Sequence, residues 1–173
     1  GYKRRDWTKD KEEDGHFTVV GVVRVNSLLF GQHKCKPNKK ATLFYVEGEG
    51  DVVATRRALV DDMKGGKWDF EPQVVGLNCG AGNAQHSTAH NEQFLMGYKD
   101  ICCVMDNDCA TDLEKFKGVK KGKEATEDIS AYLLSSEFYI VKYPEKLKDP
   151  RAWAKVDPKG LAKALNWEKV KYS

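Results

Sequence analysis

"FYVEGEGD" occupies residues 44–51 and joins an apolar segment to three acidic residues separated by two glycines. The segment that precedes the acids, ATLFYV at 41–46, is a mainly apolar run of the kind expected for a strand that is covered on both faces of a parallel sheet. So many carboxylates at the end of a buried strand need a physical explanation, because like charges at close range repel each other. This acidic end is the first indication of a functional site.

Strand-like and helix-like segments alternate from residue 41 onward. Four such alternations predict an α/β fold, with a four-stranded parallel sheet flanked by helices. The predicted order is strand 41–46, helix 51–63 with Asp51 as a candidate N-cap, strand 73–78, a glycine-rich turn at 79–85 and a helix to about Leu95, strand 100–106, helix 123–135, strand 137–143, and helix 157–165 with Asp157 as its cap and Pro158 in its first turn.

The first forty residues differ from this pattern and indicate short antiparallel strands and turns. We interpret residues 1–40 as a small α+β or β appendage, a basic N-terminal subdomain, and residues 41–173 as the main sheet domain. A polar, lysine-rich segment at 109–122 is predicted to be an exposed excursion from that domain.

The composition is that of a globular protein without membrane segments. The net charge is +3, which permits nucleic acid as a partner without requiring it. No apolar run approaches the roughly 18–20 residues that a membrane helix needs. The cysteine count of five is odd and includes an adjacent pair in an apolar run, so we expect buried thiols in a reducing, intracellular compartment. No C-x-x-C pair occurs, which argues against a zinc site.

Acidic residues follow two of the predicted strands. Glu47 lies just past the first strand, and Asp106 and Asp108 lie just past the third, in VMDND. The carboxyl ends of parallel strands meet at one edge of the sheet, so these carboxylates should converge. Divalent cations such as Mg²⁺ relieve that repulsion and prefer oxygen ligands. Each segment alone has a simpler interpretation, since acids are favoured at helix N-termini and in turns. A receiver domain also collects acids at strand ends, but it lacks the E-G-E sequence.

The same segments, in this order, resemble the Toprim domain of primases, topoisomerases and some nucleases and repair proteins. Its pattern is a strand ending in Glu-Gly and a later strand ending in D-x-D. GYKRRDWTKD at 1–10, LLFGQH at 28–33 and VEGEGD at 46–51 are further similar to the primase half of T7-type phage primase-helicases and to Twinkle-type organellar proteins. One departure is the 109–122 segment, which interrupts the family's pattern after D-x-D.

The resemblance implies a DNA primase that joins ribonucleotides on a single-stranded DNA template with Mg²⁺ or Mn²⁺. Its partners would be NTPs, the template and the RNA primer, with a zinc-binding domain and a helicase domain elsewhere in the full-length protein. The implied residues are Glu47, Asp106 and Asp108 for catalysis and metal binding, Asp149 as a further metal ligand, Lys3, Arg5, Lys9 and His33 for nucleotide or nucleic-acid contacts, and Glu49, Asp51, Gly80, Gly82 and Asn83 in support. Asp149 is also open to a simpler interpretation, as a turn residue before Pro150.

Two alternatives remain open from the sequence. The same acids would serve a metal-dependent nuclease or a topoisomerase fragment, which break phosphodiesters rather than make them. The domain could also be a non-catalytic nucleic-acid-binding module that retains the fold. No G-x-x-x-x-G-K-[ST] segment occurs, so ATP-driven unwinding is not expected within these 173 residues.

Overall fold

The computed structural model of the chain describes residues 2–5, 8, 17–20, 28–63, 71–78, 80–108 and 121–172. Lys9 and most of the predicted 109–122 excursion lie outside these residues. The strands are β1 (Tyr2–Arg5), β2 (Phe17–Val20), β3 (Thr42–Val46), β4 (Gln73–Gly76), β5 (Asp100–Val104), β6 (Glu137–Ile140) and β7 (Val170–Lys171). The helices are α1 (Glu49–Met63), α2 (Ala84–His90), α3 (Glu92–Leu95), α4 (Lys121–Tyr132), α5 (Pro150–Val156) and α6 (Pro158–Trp167), with 3-10 turns at Gln32–Lys34 and Ala81–Asn83.

The main sheet has the strand order β4-β3-β5-β6-β7. The first four of these strands are parallel, which confirms the predicted α/β class and its parallel sheet. The fifth strand, β7, was not predicted. It pairs antiparallel with β6 over two residues, which is too short for any periodic sequence signal.

The central strands are buried on both faces, and this explains why their sequences are continuously apolar. Successive side chains of a strand point to opposite faces. Leu43 and Tyr45 therefore join the core under α2 and α4, whereas Phe44 and Val46 join the core under α1, α5 and α6. Each aliphatic side chain that is fully buried in this way stabilises the fold by roughly 1.5–3 kcal/mol.

The buried thiols follow the same alternation. Cys102 and Cys103 point to opposite faces of β5, and both are free and buried, as is Cys35. Burial raises the pKa of Cys102 to about 12, so this thiol stays protonated and packs as an apolar group. Cys79 and Cys109 lie outside the described residues.

The short antiparallel strands predicted near the N-terminus are confirmed, because β1 and β2 pair antiparallel as a two-stranded sheet, while the division into an appendage and a main domain stays a prediction. The segment that follows packs on the main domain. Phe30 forms an antiparallel bridge with Gly76, the last residue of β4, and Leu29 and Cys35 belong to the core. The boundary at residue 40 stays a prediction.

Several boundaries differ from the predicted ones. Helix α1 begins at Glu49, so the assignment of Asp51 as its N-cap was wrong. The helix that ends at Leu95 is divided at Asn91 into α2 and α3. Residues 121–122 belong to α4 rather than to an excursion. Helix α5 was not predicted. It begins at an Asp-Pro pair, as does α6, which was predicted correctly. Across the described ranges, no helix combines the length and the apolar character that a membrane span needs.

Candidate active site

The acids that follow β3 and β5 come together at the carboxyl edge of the sheet. Val46 and Val104 are paired in register, so the chain leaves both strands at the same level. The backbone N–H of Asp106 donates a hydrogen bond to Oε2 of Glu47 at 3.4 Å. The two predicted acids are therefore neighbours, as the geometry of parallel strands requires.

Asp106 carries the most strongly perturbed carboxyl group of this edge. Burial, together with the negative charges of Glu47, Asp51 and Asp149, raises its pKa to about 8, and Lys148 acts in the opposite direction. Its Oδ1 atom is buried and has no hydrogen-bond partner among the described residues. The charge of Lys148 offsets only part of the burial and repulsion that an ionised carboxylate meets in this position, and a bound cation would relieve the remainder.

Glu47 shares this environment. Burial is the main cause of its raised pKa, and the charges of Asp108 and Asp51 raise it further. The hydrogen bond from the Asp106 N–H and the charge of Lys148 lower it. Both acids are thus held close together against their mutual repulsion by the backbone geometry of the two strand ends.

The loop that carries Asp106 and Asp108 is fixed from two sides. Gly122, in the first turn of α4, donates its backbone N–H to Oδ2 of Asp108 at 3.0 Å. A Cβ atom at Gly122 would lie 2.2 Å from the carbonyl oxygen of Asp106, so only glycine allows this approach. On the other side, the backbone N–H of Asn107 donates to the carbonyl of Lys148 at 2.6 Å.

A second pair of acids lies beside the first group and has a different partner. Asp149 is the N-cap of α5, accepting from the Ala152 N–H at 2.7 Å, and this structural role was not predicted. Asp51 lies in the first turn of α1 and accepts a hydrogen bond from the backbone of Gly48. Arg151 bridges the two acids, with Nε 3.0 Å from Asp51 and Nη2 3.2 Å from Asp149.

The Arg151 bridge gives Asp51 and Asp149 a direct ion-pair partner. The side chain of Asp51 is 4% exposed, and its raised pKa, caused mainly by burial, is opposed by the Arg151 charge. A Cβ atom at Gly50 would lie 2.7 Å from Arg151 Cδ, so the glycine leaves room for the arginine. Sequence reasoning missed Arg151, because its partner Asp51 is a hundred positions away and no local pattern marks it. Of the inner acids Glu47, Asp106 and Asp108, Asp106 keeps a buried oxygen that has no hydrogen-bond partner in the described part of the chain.

An open cleft of about 480 Å³ lies beside the inner acids. It is lined by charged groups of both signs, because Lys123 of α4 and Lys142 after β6 share it with Asp106 and Asp108. Lys123 also pairs with Glu127 at 3.4 Å. The cleft therefore presents lysine side chains close to the carboxylates. Such an arrangement suits a ligand that carries phosphate groups.

The remaining predicted site residues belong to other elements of the fold. His33 belongs to the 3-10 turn Gln32–Lys34 and lines a second cleft with Arg56 and Arg57, and the inner acids are not part of that lining.

Gly80 has φ +74°, a conformation that favours glycine, and precedes the 3-10 turn that contains Gly82 and Asn83. Glu49 lies in the first turn of α1. Lys3 and Arg5 belong to β1, and Lys9 lies outside the described residues.

The inner acids fit a partial site for a hard divalent cation. In the described part of the chain, no group of three or more His, Cys, Asp or Glu side chains is arranged to hold a metal ion by itself. Mg²⁺ commonly takes only one or two carboxylates and completes its octahedron with water and substrate phosphates. The free Oδ1 of Asp106, next to Glu47, matches that requirement.

Comparison with known proteins finds similarity at the level of structure. No protein-family model and no curated protein sequence matches the chain. The primase fragment of the bacteriophage T7 primase-helicase protein matches with a TM-score of 0.65 and 21% identity, over 92% of this chain and 54% of that fragment. The chain thus spans about half the length of that fragment.

A second T7 structure gives a similar result. In a complex of the T7 lagging-strand DNA polymerase, the primase domains of two gp4 subunits are bound to an RNA/DNA hybrid and dTTP. That match has a TM-score of 0.62 and 22% identity, over 95% of this chain and 69% of that chain. This chain therefore shares its fold with the primase domains of the bacteriophage T7 primase-helicase.

Proposed function

We propose that this domain is the catalytic core of a DNA primase, a nucleotidyltransferase that makes short RNA primers on single-stranded DNA during phage DNA replication. One observation carries the proposal: the paired strand ends place Glu47 against Asp106, whose buried Oδ1 has no partner among the described residues. The fold shared with T7 primase domains supports the same activity.

Glu47, Asp106 and Asp108 are the residues that would hold Mg²⁺ or Mn²⁺ in this proposal. Such an ion lowers the pKa of an attacking 3′-hydroxyl and neutralises charge on the leaving pyrophosphate. The protein contributes a fixed set of oxygens, because Gly122 and Asn107 hold the loop that presents Asp106 and Asp108. Asp149 and Asp51 would support the site from its outer side through Arg151.

Glu47 suits two tasks in phosphoryl transfer. Its burial raises its pKa toward that of a group able to accept a proton from the attacking hydroxyl. Its position beside Asp106 equally suits a metal ligand. Both tasks need the ionised carboxylate, so replacing Glu47 with Gln should impair either one.

The nucleotide and template would lie over the charged cleft and the basic N-terminal segment. Lys123 and Lys142 line the cleft next to the acids and would contact phosphate groups. Lys3, Arg5, Lys9 and His33 would contact nucleotides or template, supported by Glu49, Gly80, Gly82 and Asn83 at the surrounding turns. The T7 primase domains bound to an RNA/DNA hybrid and dTTP support partners of this chemistry.

Extension of a short RNA annealed to single-stranded DNA tests the proposal, because it does not depend on a separate template-recognition domain. With NTPs and Mg²⁺ we expect ribonucleotide addition, and Asp106→Asn or Glu47→Gln should reduce its rate by about 10²–10³-fold. The matched control is Asp128→Asn, because Asp128 is an exposed acid on α4. Cleavage of the DNA instead of extension would identify a nuclease, and the absence of both cation binding and catalysis would identify a non-catalytic module.

A further inference from the structure

Tyr143 has a buried hydroxyl group that the proposed chemistry does not yet use. The hydroxyl has no hydrogen-bond partner among the described residues. Two other buried tyrosines differ in this respect, because Tyr98 donates to Gln73 at 2.9 Å and Tyr45 lies 3.4 Å from the hydroxyl of Thr88. A buried polar group without a partner costs about 1–3 kcal/mol, so such a group calls for an explanation.

The charges of the active-site acids act on this hydroxyl. Burial first, and then the charges of Asp106, Asp51 and Asp149, raise the pKa of Tyr143 well above its ordinary value, so the group stays protonated and can donate. Its ring is held in place against Trp153 of α5, with ring centroids 5.5 Å apart.

One of these acids, Asp106, has a buried carboxylate oxygen that can accept a hydrogen bond. Asp106 Oδ1 is likewise buried and without a partner, and Asp106 and Tyr143 line the same cleft. A buried donor and a buried acceptor that lack a direct contact are commonly joined by a single ordered water.

We propose that Tyr143 is a positioning residue whose hydroxyl donates through one water molecule to the Asp106 carboxylate and thereby orients it for a divalent cation. The inference rests on the proposed function, because it assumes that Asp106 is a cation ligand. Hydrogen-bonded groups behind a metal ligand fix its orientation, and their loss commonly weakens metal affinity by 10–100-fold.

The test is the affinity for Mn²⁺, measured by titration calorimetry on wild type, Tyr143→Phe and Tyr98→Phe. Phenylalanine keeps the ring that packs on Trp153 and removes only the hydroxyl. We expect Tyr143→Phe to bind Mn²⁺ about 10-fold more weakly. Tyr98→Phe also loses a buried hydroxyl, one that serves Gln73, and should bind like wild type.

Two further readouts separate positioning from a structural role. The Mn²⁺ concentration that gives half-maximal RNA extension should rise by the same factor in Tyr143→Phe, while the rate at saturating Mn²⁺ stays within about two-fold of wild type. Urea unfolding of the cation-free variants shows whether each protein is folded. Equal Mn²⁺ affinity in wild type and Tyr143→Phe would overturn this inference and leave the proposed function standing, whereas a wild type that binds no Mn²⁺ would overturn both.

Discussion

Replacing Asp106 with Asn should stabilise the cation-free protein at alkaline pH, although it removes a residue of the proposed active site. An acid whose folded-state pKa exceeds its unfolded value holds its proton more tightly in the folded state. Its contribution to stability is full below the unfolded pKa and is lost as pH rises through the folded pKa. For Asp106 these values are 3.8 and about 8, so the loss extends over that range.

The size of the effect follows from the same two values. At 1.36 kcal/mol per pKa unit, raising the pKa of Asp106 from 3.8 to about 8 corresponds to about 6 kcal/mol of destabilisation above pH 8. Water in the open cleft beside the carboxylate screens part of this cost. We therefore expect Asp106→Asn to raise the free energy of unfolding by about 2–3 kcal/mol at pH 8.5, with a much smaller gain at pH 5.

Urea unfolding in EDTA at pH 5, 7 and 8.5 measures this difference for wild type, Asp106→Asn and the exposed control Asp128→Asn. The gain should grow with pH in Asp106→Asn alone. Adding Mg²⁺ should stabilise wild type and leave Asp106→Asn unchanged, because a ligand stabilises only the form that binds it. A loss of stability in Asp106→Asn at pH 8.5, or a gain that is the same at every pH, would refute the reasoning that the ionised Asp106 carboxylate destabilises the folded protein.

Three further substitutions, one of them with a matched control, test the framework of the fold by urea unfolding at pH 7. Arg151→Met should lower the free energy of unfolding by about 2 kcal/mol, because two carboxylates lose a charged partner, and an unchanged value would show that the bridge contributes nothing. Gly122→Ala should lower the free energy of unfolding by more than about 2 kcal/mol, because its Cβ would meet the Asp106 carbonyl. The control Gly82→Ala has open space around the new Cβ and should change the free energy of unfolding by no more than about 0.5 kcal/mol. Equal losses in the two variants would contradict the close approach at Gly122. Asp157→Ala should cost about 1 kcal/mol through the lost cap of α6, and no cost would mean that the cap is dispensable.

Local patterns were enough to predict the sheet and the meeting of its acids. Apolar runs mark strands that are buried on both faces, and Glu47 and Asp106 each follow such a run. Parallel strands with right-handed crossovers bring their carboxyl ends to one edge, so the neighbourhood of these two residues could be predicted without coordinates. The cap of α6 was likewise predictable, because an Asp-Pro pair acts within one helical turn.

Features that depend on distant parts of the chain were decided by the tertiary structure. Arg151 reaches Asp51 across a hundred positions, and strand β7 returns from the end of the chain to pair with β6. The buried polar atoms of Asp106 and Tyr143 result from packing between segments, which removes both from water while no residue of the described ranges donates to or accepts from them. The sequence by itself determined which chemical groups stand at the strand ends, since periodicity and chain direction are local properties. Burial, pairing and the resulting pKa values arise from contacts between segments, and no single segment encodes them.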